Sequence, residues 1–291
     1  MPENMLVRKK ETALFLIDSY NDLGYQVYNV GGNDLAAGLQ FVKKAEKIAK
    51  FNFISANIVD SISSELLFKP YKIIKSGNKK FGIIGITSKP KYNVSGVKIT
   101  EPLYALNKYL SELKKQSDYI VVLAAINNID ETKIINSKTS IDFLLCASTY
   151  RFSKTLDFAT SMYIARCGNI GKYIGVISMN IIKEGLPLEN ISKINNQLSY
   201  IEKRLKSFAK DMGDKTYDEY YGDRPSILNV IHSLQRHEKE LKKQKEKIIN
   251  ALDYELVRLD NKIKDDPYMW KKVNEHKAVL RKMGVKSKSI K

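Results

Sequence analysis

The stretch GYQVYNVGGNDLAAG, Gly24–Gly38, predicts a strand, a tight turn and the beginning of a helix. The short run of β-branched and aromatic residues over 25–30 is typical of a buried strand. A glycine pair beginning at Gly31 ends the run, and Asn33 or Asp34 can cap the helix, because an Asx side chain accepts a bond from a free first-turn N–H. Since α/β proteins concentrate their chemistry at such junctions, this turn is the first candidate site.

The rest of the first two thirds of the chain continues as alternating strands and helices. A Gly-Asn pair at 77–78 predicts a hairpin between two of the strands, because glycine and asparagine suit tight turns. Helices are predicted at 9–23 and 101–115 from their apolar spacing, and strands at 53–59, 67–73, 81–87, 119–124, 141–150, 163–166 and 173–182. The pattern predicts an α/β domain.

These strands in this order, with the glycine turn, resemble the calcineurin-like metallophosphoesterases, in the branch of 5′-nucleotidases and UDP-sugar hydrolases. The family's stretch matching Gly24–Gly38 reads roughly GYDAVTVGNHEFDYG. The resemblance implies a metallophosphoesterase-like β-sandwich flanked by helices. The family's first motifs, an Asp-x-His strand and a Gly-Asp strand, have no counterpart here, so the resemblance implies a fold shortened at its N-terminus.

The family's metal ligands and phosphate contacts fall on residues that cannot replace them. The Asn and His of its GNHE motif match Gly32 and Asn33, and the Ser-His pair that ends a later strand matches Ala124-Ala125. Two histidines of a further motif match Ser148 and Tyr150 in the stretch IDFLLCASTY. The positions of this vestigial cleft are Gly32, Asn33, Asp34, Ala125, Ser148 and Tyr150.

The supply of histidine argues against a metal centre of the family's type. The family's chemistry needs two metal ions held close together by His, Asp and Asn. The chain has three histidines, at 232, 237 and 276, all beyond the α/β region. His232 and His237 are five residues apart, so they do not share a helix face as an i, i+4 pair would. We therefore expect no catalytic residue, no metal and no cofactor.

Two weaker possibilities remain open at the cleft. Asp34 and Asp142, with an asparagine, could hold a single Mg²⁺, although both carboxylates also have structural explanations. The turn Gly31, Gly32 and Asn33 could offer backbone N–H groups to an anion without any metal. The cofactor alternative is therefore a divalent ion, Mn²⁺, Mg²⁺ or Zn²⁺.

The C-terminal part has a different period. Apolar residues recur at steps of three and four over 191–212 and 226–264, which predicts two long helices of a coiled-coil-like hairpin joined at 213–224. A last helix at 268–283 is expected near the base of the hairpin. We predict two domains, a metallophosphoesterase-like α/β domain over 1–188 and the helical region over 189–291.

The composition and charge of the chain limit the partners and the location that we expect for it. The 291 residues carry a formal charge of +17, which favours polyanionic partners, but the excess is spread along the chain. No apolar run approaches the ~20 residues of a membrane helix, and the run behind the N-terminal charges is too short for a signal peptide. We expect a cytoplasmic protein as written, or an exported one if the true N-terminus lies upstream. The two cysteines are expected to be buried free thiols.

Three functions follow from these observations. The first is a non-catalytic descendant of the fold that binds a protein partner, or itself, through helices 191–212 and 226–264. The second is a metal-dependent 5′-nucleotidase-like phosphoester hydrolase whose missing ligands come from elsewhere. The third is a basic module that binds nucleic acid, with an affinity that falls steeply as salt is added.

Overall fold

The computed structural model describes residues 3–147, 150–168 and 170–285. The strands are β1 (Val27–Asn29), β2 (Asn52–Ile54), β3 (Ile58–Asp60), β4 (Tyr71–Ser76), β5 (Lys79–Thr87), β6 (Val97–Ile99), β7 (Tyr119–Ala125), β8 (Phe143–Ala147), β9 (Asp157–Ala159), β10 (Met162–Arg166), β11 (Tyr173–Asn180), β12 (Glu189–Asn190) and β13 (Ala251–Arg258). The α-helices are α1 (Glu3–Asp22), α2 (Leu39–Ile48), α3 (Pro102–Gln116), α4 (Asn128–Asn136), α5 (Ser192–Ala209), α6 (Tyr217–Tyr221), α7 (Pro225–Glu246) and α8 (Pro267–Val285).

The chain divides into two compact units. The first contains the described residues within Met1–Phe152, Asp157–Tyr173 and Arg258–Lys291, and the second contains Ser153–Leu156 and Ile174–Val257. Besides Ser153–Leu156, the second unit therefore contains most of β11 and the chain that follows it up to Val257, and α8 lies in the first unit. The predicted division into residues 1–188 and 189–291 concerns folding domains, and it stays a prediction.

A six-stranded mixed sheet forms the centre of the first unit. Its order is β4-β5-β7-β8-β10-β9, with β5, β7, β8 and β10 parallel and the two edge strands antiparallel to their neighbours. The predicted hairpin is confirmed, because Gly77-Asn78 joins β4 to β5 and Gly77 takes a positive φ of 59°, a conformation that costs glycine little. The α/β class is confirmed, but the strand predicted over 53–59 is two strands, β2 and β3, in separate sheets, and the one predicted over 67–73 begins only at Tyr71.

The core of the first unit lies between the central sheet and the helices on it. Every second residue of β7 is buried, which is the pattern of a strand with one face against a core. Leu106 and Leu113 of α3 are fully buried against that sheet. Gly82 permits the close approach, since a methyl group placed on it would lie 2.6 Å from Leu113 Cγ.

A second apolar cluster lies around β1 and β2. These two strands are parallel, and α1 and α2 pack against them through Ile17, Val42 and Phe53. The helix predicted to follow the glycine turn at once is interrupted: a 3₁₀-helix covers Gly32–Ala37, and α2 begins only after Gly38, whose φ is +89°. The continuous apolar spacing concealed this glycine break.

In the second unit, α5 and α7 pack against each other. Ile194, Ile201 and Leu241 are buried between them, so the first part of the predicted seam is confirmed as a contact within the chain. A three-stranded sheet, in the order β11-β13-β12, completes the unit. The short helix α6 lies in the segment predicted to join the two helices.

The predicted helix over 226–264 is wrong beyond residue 246. Helix α7 ends at Glu246, and residues 251–258 form β13. Leu252 and Tyr254 are buried with a spacing of two, which serves a strand, although leucines at 252, 256 and 259 also match a helical seam. Asn250 stabilises the change of direction: its Oδ1 accepts from the N–H groups of Ile182 and Lys183, at 2.9 and 3.0 Å, and its Nδ2 donates to two carbonyls.

The predicted last helix is confirmed as α8, and it packs on α1. The Lys272 ammonium donates to Asp18 at 2.6 Å and also binds Asp22, and the rings of Phe15 and His276 stack with centroids 4.0 Å apart. Of the helices in the described parts of the chain, none combines the length and apolar character that a bilayer crossing requires.

Candidate functional site

The candidate site lies where the parallel strands of the central sheet end. Thr87 of β5 is opposite Ala125 of β7, and Ala125 is opposite Ala147 of β8, so three strand ends form one row. The turn that follows β1 lies above this row, because the Gly32 N–H donates to Thr87 Oγ1 at 3.0 Å. Open α/β sheets bind ligands at this edge.

The backbone groups of the glycine turn are already engaged by protein acceptors. The Gly31 N–H donates to Asp34 Oδ2 at 2.7 Å, and the Gly32 N–H donates to Thr87 Oγ1. The Tyr92 hydroxyl donates to the Gly32 carbonyl at 2.6 Å. The turn therefore carries its own anion, the Asp34 carboxylate, at the place where a bound anion would otherwise accept these bonds.

Asp34 is held in a partly buried position by two neighbours. Its Oδ1 accepts a bond of 2.9 Å from the Tyr28 hydroxyl, while Oδ2 accepts from Gly31. Burial raises the pKa of Asp34, and these two hydrogen bonds only partly oppose that effect. Burial and the neighbouring Asp34 carboxylate also raise the pKa of Tyr28. The sequence suggested Asp34 as a helix cap, and it does satisfy the N–H that precedes the 3₁₀-helix.

The turn packs tightly on the end of β7. A methyl group placed on Gly31 would lie 3.2 Å from Ala125 Cβ, closer than ordinary van der Waals contact. The Thr87 hydroxyl donates to the Ala125 carbonyl at 3.1 Å, which fixes the neighbouring strand end. The glycine turn and the end of β7 are therefore in direct contact.

Beside Ala125, a second polar group ties the strand ends to α4. The Ser88 hydroxyl donates to Asp130 Oδ2 at 2.5 Å and accepts from the Asn127 N–H at 3.0 Å. Asn127 caps α4, because its Oδ1 accepts from the N–H groups of Ile129 and Asp130. The side chains of Ser88, Asn127 and Asp130 therefore hold the end of β5 and the start of α4 together through hydrogen bonds.

A buried ionic cluster lies between α4 and β10. The Glu131 side chain, 4% exposed, binds Arg166 through Oε1 and accepts from Arg151 at 2.7 Å through Oε2. Arg166 also donates to Asp157 at 2.5 Å. Burial opposes the charge on Arg166, but its bonds to Glu131 and Asp157 outweigh that effect and raise its pKa.

The cysteines are both free, as predicted, and differ in exposure. Cys146 of β8 is buried, whereas Cys167 is only half-buried. Burial, with a smaller contribution from the nearby Glu131 charge, raises the pKa of the Cys146 thiol to about 12. This thiol is therefore protonated and unreactive at neutral pH.

The structure brings together some of the predicted cleft residues. Gly31, Gly32, Asp34 and Ala125 meet at the strand ends, whereas the side chain of Asn33 is exposed. The side chain of Tyr150 is 86% exposed. Ser148 lies outside the described residues. Whether the cleft or the turn binds an anion stays a prediction.

The suggested magnesium site at Asp34 and Asp142 is wrong. Asp142 Oδ2 accepts from the Ile120 N–H at 2.7 Å, at the start of β7, whereas Asp34 lies beside the end of that strand. Five residues of strand separate the two levels, about 16 Å at ~3.3 Å per residue. The sequence placed both aspartates near strands but did not say at which end.

Several residues of the site escaped the sequence analysis. Thr87, Ser88, Glu131, Arg151 and Arg166 determine its hydrogen bonds and charge. Thr87 had a detectable signal, as the polar residue that ends the apolar stretch FGIIGIT. Glu131 and Arg166 had none, because a charged residue gives no sign in sequence that a distant partner buries it.

The donor set does not fit the two-metal centre that the resemblance implies. Within the described ranges, no three His, Cys, Asp or Glu side chains lie close enough to hold a metal ion. The residues at the matched positions are a glycine, an exposed asparagine and an alanine, and the nearby hydroxyls of Thr87 and Ser88 already donate to protein oxygens.

Comparison with known proteins finds relatives for part of the sequence. The chain is 31% identical over 117 residues to a 2′,3′-cyclic-nucleotide 2′-phosphodiesterase/3′-nucleotidase of Yersinia enterocolitica, covering 35% of this chain and 18% of that protein. It is 28% identical over 109 residues to a 5′-nucleotidase of Vibrio cholerae, covering 35% and 20%. The chain thus spans about a fifth of the length of these relatives. No protein-family model matches the sequence.

A solved structure extends the agreement to the fold. The calcineurin-like phosphoesterase YfkN from Bacillus subtilis superposes with a TM-score of 0.51 at 20% identity, covering 60% of this chain and 66% of that one. Identity at this level supports the fold alone. Over about 60% of its length the chain therefore has the calcineurin-like phosphoesterase fold, and about a third of it is similar in sequence to 5′-nucleotidases and related phosphodiesterases.

Proposed function

We propose that this chain is a non-catalytic protein of the metallophosphoesterase fold that acts as an interaction or scaffold module through its C-terminal helices. One observation carries the first half of the proposal: the glycine turn packs against Ala125, so the space for a metal and its imidazole ligand is filled by the chain itself. The engagement of Asp34, Thr87 and Ser88 with protein groups supports the same conclusion.

The buried ionic cluster gives further support. A dinuclear centre brings several positive charges to the strand ends, which carboxylates balance. In this chain, the two arginines of the cluster meet Glu131 and Asp157 directly. The local charge is thus balanced by side chains without an added cation.

The helices of the second unit support the interaction role. Their apolar seam is closed within the chain, so a partner would meet the outer faces of α5 and α7. Tyr200 of α5 is 60% exposed and Val230 of α7 is 45% exposed. Exposed aromatic and apolar side chains of this kind are enriched where proteins bind one another. The partner is then another protein or a second copy of this chain.

A hydrolysis assay tests the non-catalytic half. Purified protein is incubated with bis(p-nitrophenyl) phosphate and with 5′-AMP, each with Mn²⁺, Mg²⁺ or Zn²⁺, and Asp34→Ala is run beside the wild type. We expect no turnover above the metal-only blank in either protein. Metal-dependent turnover that Asp34→Ala abolishes would contradict the proposal.

Light scattering at several protein concentrations tests the interaction half. Tyr200→Ser and Val230→Ser should reduce self-association, or the capture of a partner protein by the immobilised chain, while Glu202→Gln on the same helix should leave both unchanged. An effect of equal size in all three variants would contradict a specific role for these apolar faces.

The enzymatic alternative has one observation in its favour, which is that the similar proteins are named as nucleotidases and a nucleotide phosphodiesterase. If this chain is active, phosphoester hydrolysis is the reaction class to expect.

Nucleic-acid binding has the charge of +17 in its favour. It predicts an affinity for duplex DNA that falls steeply between 50 and 200 mM salt, and binding that is absent or insensitive to salt would exclude it.

A further inference from the structure

An apolar groove of about 440 Å³ runs between α1 and the segment formed by the 3₁₀-helix and α2. We call it the α1 groove. One face of α1 forms its first wall, through residues spaced three and four apart from Leu6 to Tyr20. The fourteen helical steps from Leu6 to Tyr20 give this wall a length of about 21 Å at ~1.5 Å per residue. The α1 groove is therefore elongated and large enough for a small molecule.

Small side chains create the space. Ala13 of α1 and, on the other elements, Ala36, Ala37 and Ala45 line the α1 groove together with the rings of Tyr28 and Phe53. Ile17, Val42 and Phe53 in its lining are almost fully buried, so the apolar surface here is part of a folded core and not a loose surface contact. A ligand must present a long apolar body to such a lining.

The two ends of the α1 groove differ in charge. At one end, the Tyr28 hydroxyl donates to Asp34 Oδ1, and Asp34 Oδ2 accepts from the Gly31 N–H. Because these polar atoms already have hydrogen-bond partners and Asp34 carries a negative charge, this end of the α1 groove disfavours an anion. At the other end lie Lys9 and Lys10, and Lys10 Nζ lies 5.6 Å from the centre of the Phe41 ring.

The lysine end is available for an anion. Across the parts of the chain that the structure describes, Lys9 and Lys10 form no ion pair, whereas the lysine of α8 that contacts α1 binds two aspartates. We propose that the α1 groove binds a free, single-chain amphiphile with an anionic head, such as a fatty acid, with its head at Lys9 and Lys10 and its tail directed toward Tyr28. The α1 groove shares Tyr28 and Asp34 with the glycine turn at the end away from the lysines, and the proposal does not depend on the proposed function.

Titration calorimetry and thermal shifts with octanoate, decanoate and dodecanoate, below their micelle concentrations, test the proposal. Binding to the folded state raises the melting temperature. Affinity should rise by up to about fourfold per added methylene, because each buried methylene adds a transfer free energy of that size. Dodecyltrimethylammonium, with the same tail and a cationic head, should bind more weakly than dodecanoate.

Two variants locate the site. Lys9→Gln combined with Lys10→Gln should raise the Kd of dodecanoate about three- to tenfold, while the matched pair Lys44→Gln with Lys47→Gln, which has the same change of charge on the exposed face of α2, should leave it unchanged. Ala13→Phe should fill the α1 groove and abolish binding without lowering the melting temperature of the free protein by more than a few degrees.

The proposal is overturned if dodecanoate does not stabilise the wild type, if both lysine pairs have equal effects, or if a folded Ala13→Phe binds as tightly as the wild type. A dimer that forms with rising protein concentration and that Ala13→Phe dissolves would also overturn it, because the occupant would then be a second copy. Should Ala13→Phe fail to fold, the milder Ala36→Leu fills the same space from the opposite wall and decides in its place.

Discussion

Gly31 packs against Ala125 so closely that a methyl group on the glycine would lie 3.2 Å from the alanine Cβ. The first residue belongs to the turn after β1 and the second ends β7, so this contact covers the edge of the central sheet where its parallel strands end. The glycine turn and the strand ends are held together at this edge by hydrogen bonds within the chain.

Ala125→His would restore a histidine at the matched position, and we expect it to lower stability. A side chain of that size overpacks the contact with Gly31, at a cost of about 1–3 kcal/mol in the free energy of unfolding. Urea denaturation measures the change. Ala147→His is the matched control, because Ala147 is exposed in the neighbouring strand, and its effect should stay within about 0.5 kcal/mol. A stable Ala125→His protein would refute the packing argument.

Breaking the buried ionic cluster should cost far more than breaking a surface pair. Glu131→Gln leaves the buried guanidinium of Arg166 with only Asp157, and we expect a loss of about 3–5 kcal/mol. Glu202→Gln, which removes an exposed pair with Lys206, should cost less than about 0.5 kcal/mol.

The double variant Glu131→Gln with Arg166→Met tests whether the stability lost in Glu131→Gln comes from the unpaired charge of Arg166. Once both charges are gone, no uncompensated charge remains buried, so the double variant should recover much of the stability that Glu131→Gln loses. Chemical denaturation of the wild type, the single variants Glu131→Gln and Arg166→Met, and the double variant gives this coupling energy. Strictly additive losses would mean that Glu131 and Arg166 are not coupled as the structure indicates.

The wild type should be favoured over Asp34→Asn in free energy of unfolding most strongly in acid. Because burial raises the pKa of Asp34 in the folded state, its contribution to stability is greatest below the unfolded pKa and declines as pH rises through the folded pKa. Stability of Asp34→Asn relative to wild type should therefore increase from about pH 4 upward. Denaturation at several pH values measures it.

Asp22→Asn serves as a control of opposite sign. The hydrogen bond from Lys272 lowers the pKa of Asp22, so the wild-type group stabilises above its unfolded pKa and loses that contribution as pH falls. Parallel pH slopes for the Asp34→Asn and Asp22→Asn variants would contradict both assignments.

Alkylation should distinguish the cysteines. Cys146 is buried and the pKa of its thiol is raised to about 12, so iodoacetamide at pH 8 should modify it only after unfolding. The half-buried Cys167 should react first in the native protein. Mass spectrometry of the two cysteine-containing peptides over time measures both rates, and rapid native labelling of Cys146 would show that β8 is more open than described.

The sequence predicted local structure well where a single period was present. Strands such as β5 and β7 follow from short apolar runs, and the glycines at 31 and 32 mark the turn that lies over the strand ends. The prediction failed at residues 251–258, because Leu252, Leu256 and Leu259 fit a helical seam as well as a strand. The choice depends on Asn250, whose partners lie more than sixty residues away in the chain.

The candidate site was predictable only in part. The resemblance identified Gly32 and Ala125 as positions without metal-binding side chains, and the structure brings them to one edge. It did not indicate that Asp34 would bind the Gly31 N–H or that Glu131 and Arg166 would pair. Both depend on tertiary burial, which residue type and spacing do not encode.

The metal content of the purified chain is the most direct test of the central claim. Elemental analysis of protein prepared without chelators should find no stoichiometric Mn, Zn or Fe, and added Mn²⁺ or Zn²⁺ should leave the melting temperature unchanged, since an ion that binds only the folded state must raise it. One or two metal ions per chain, with a stabilising shift that Asp34→Ala removes, would contradict the account and identify the strand ends as an active centre.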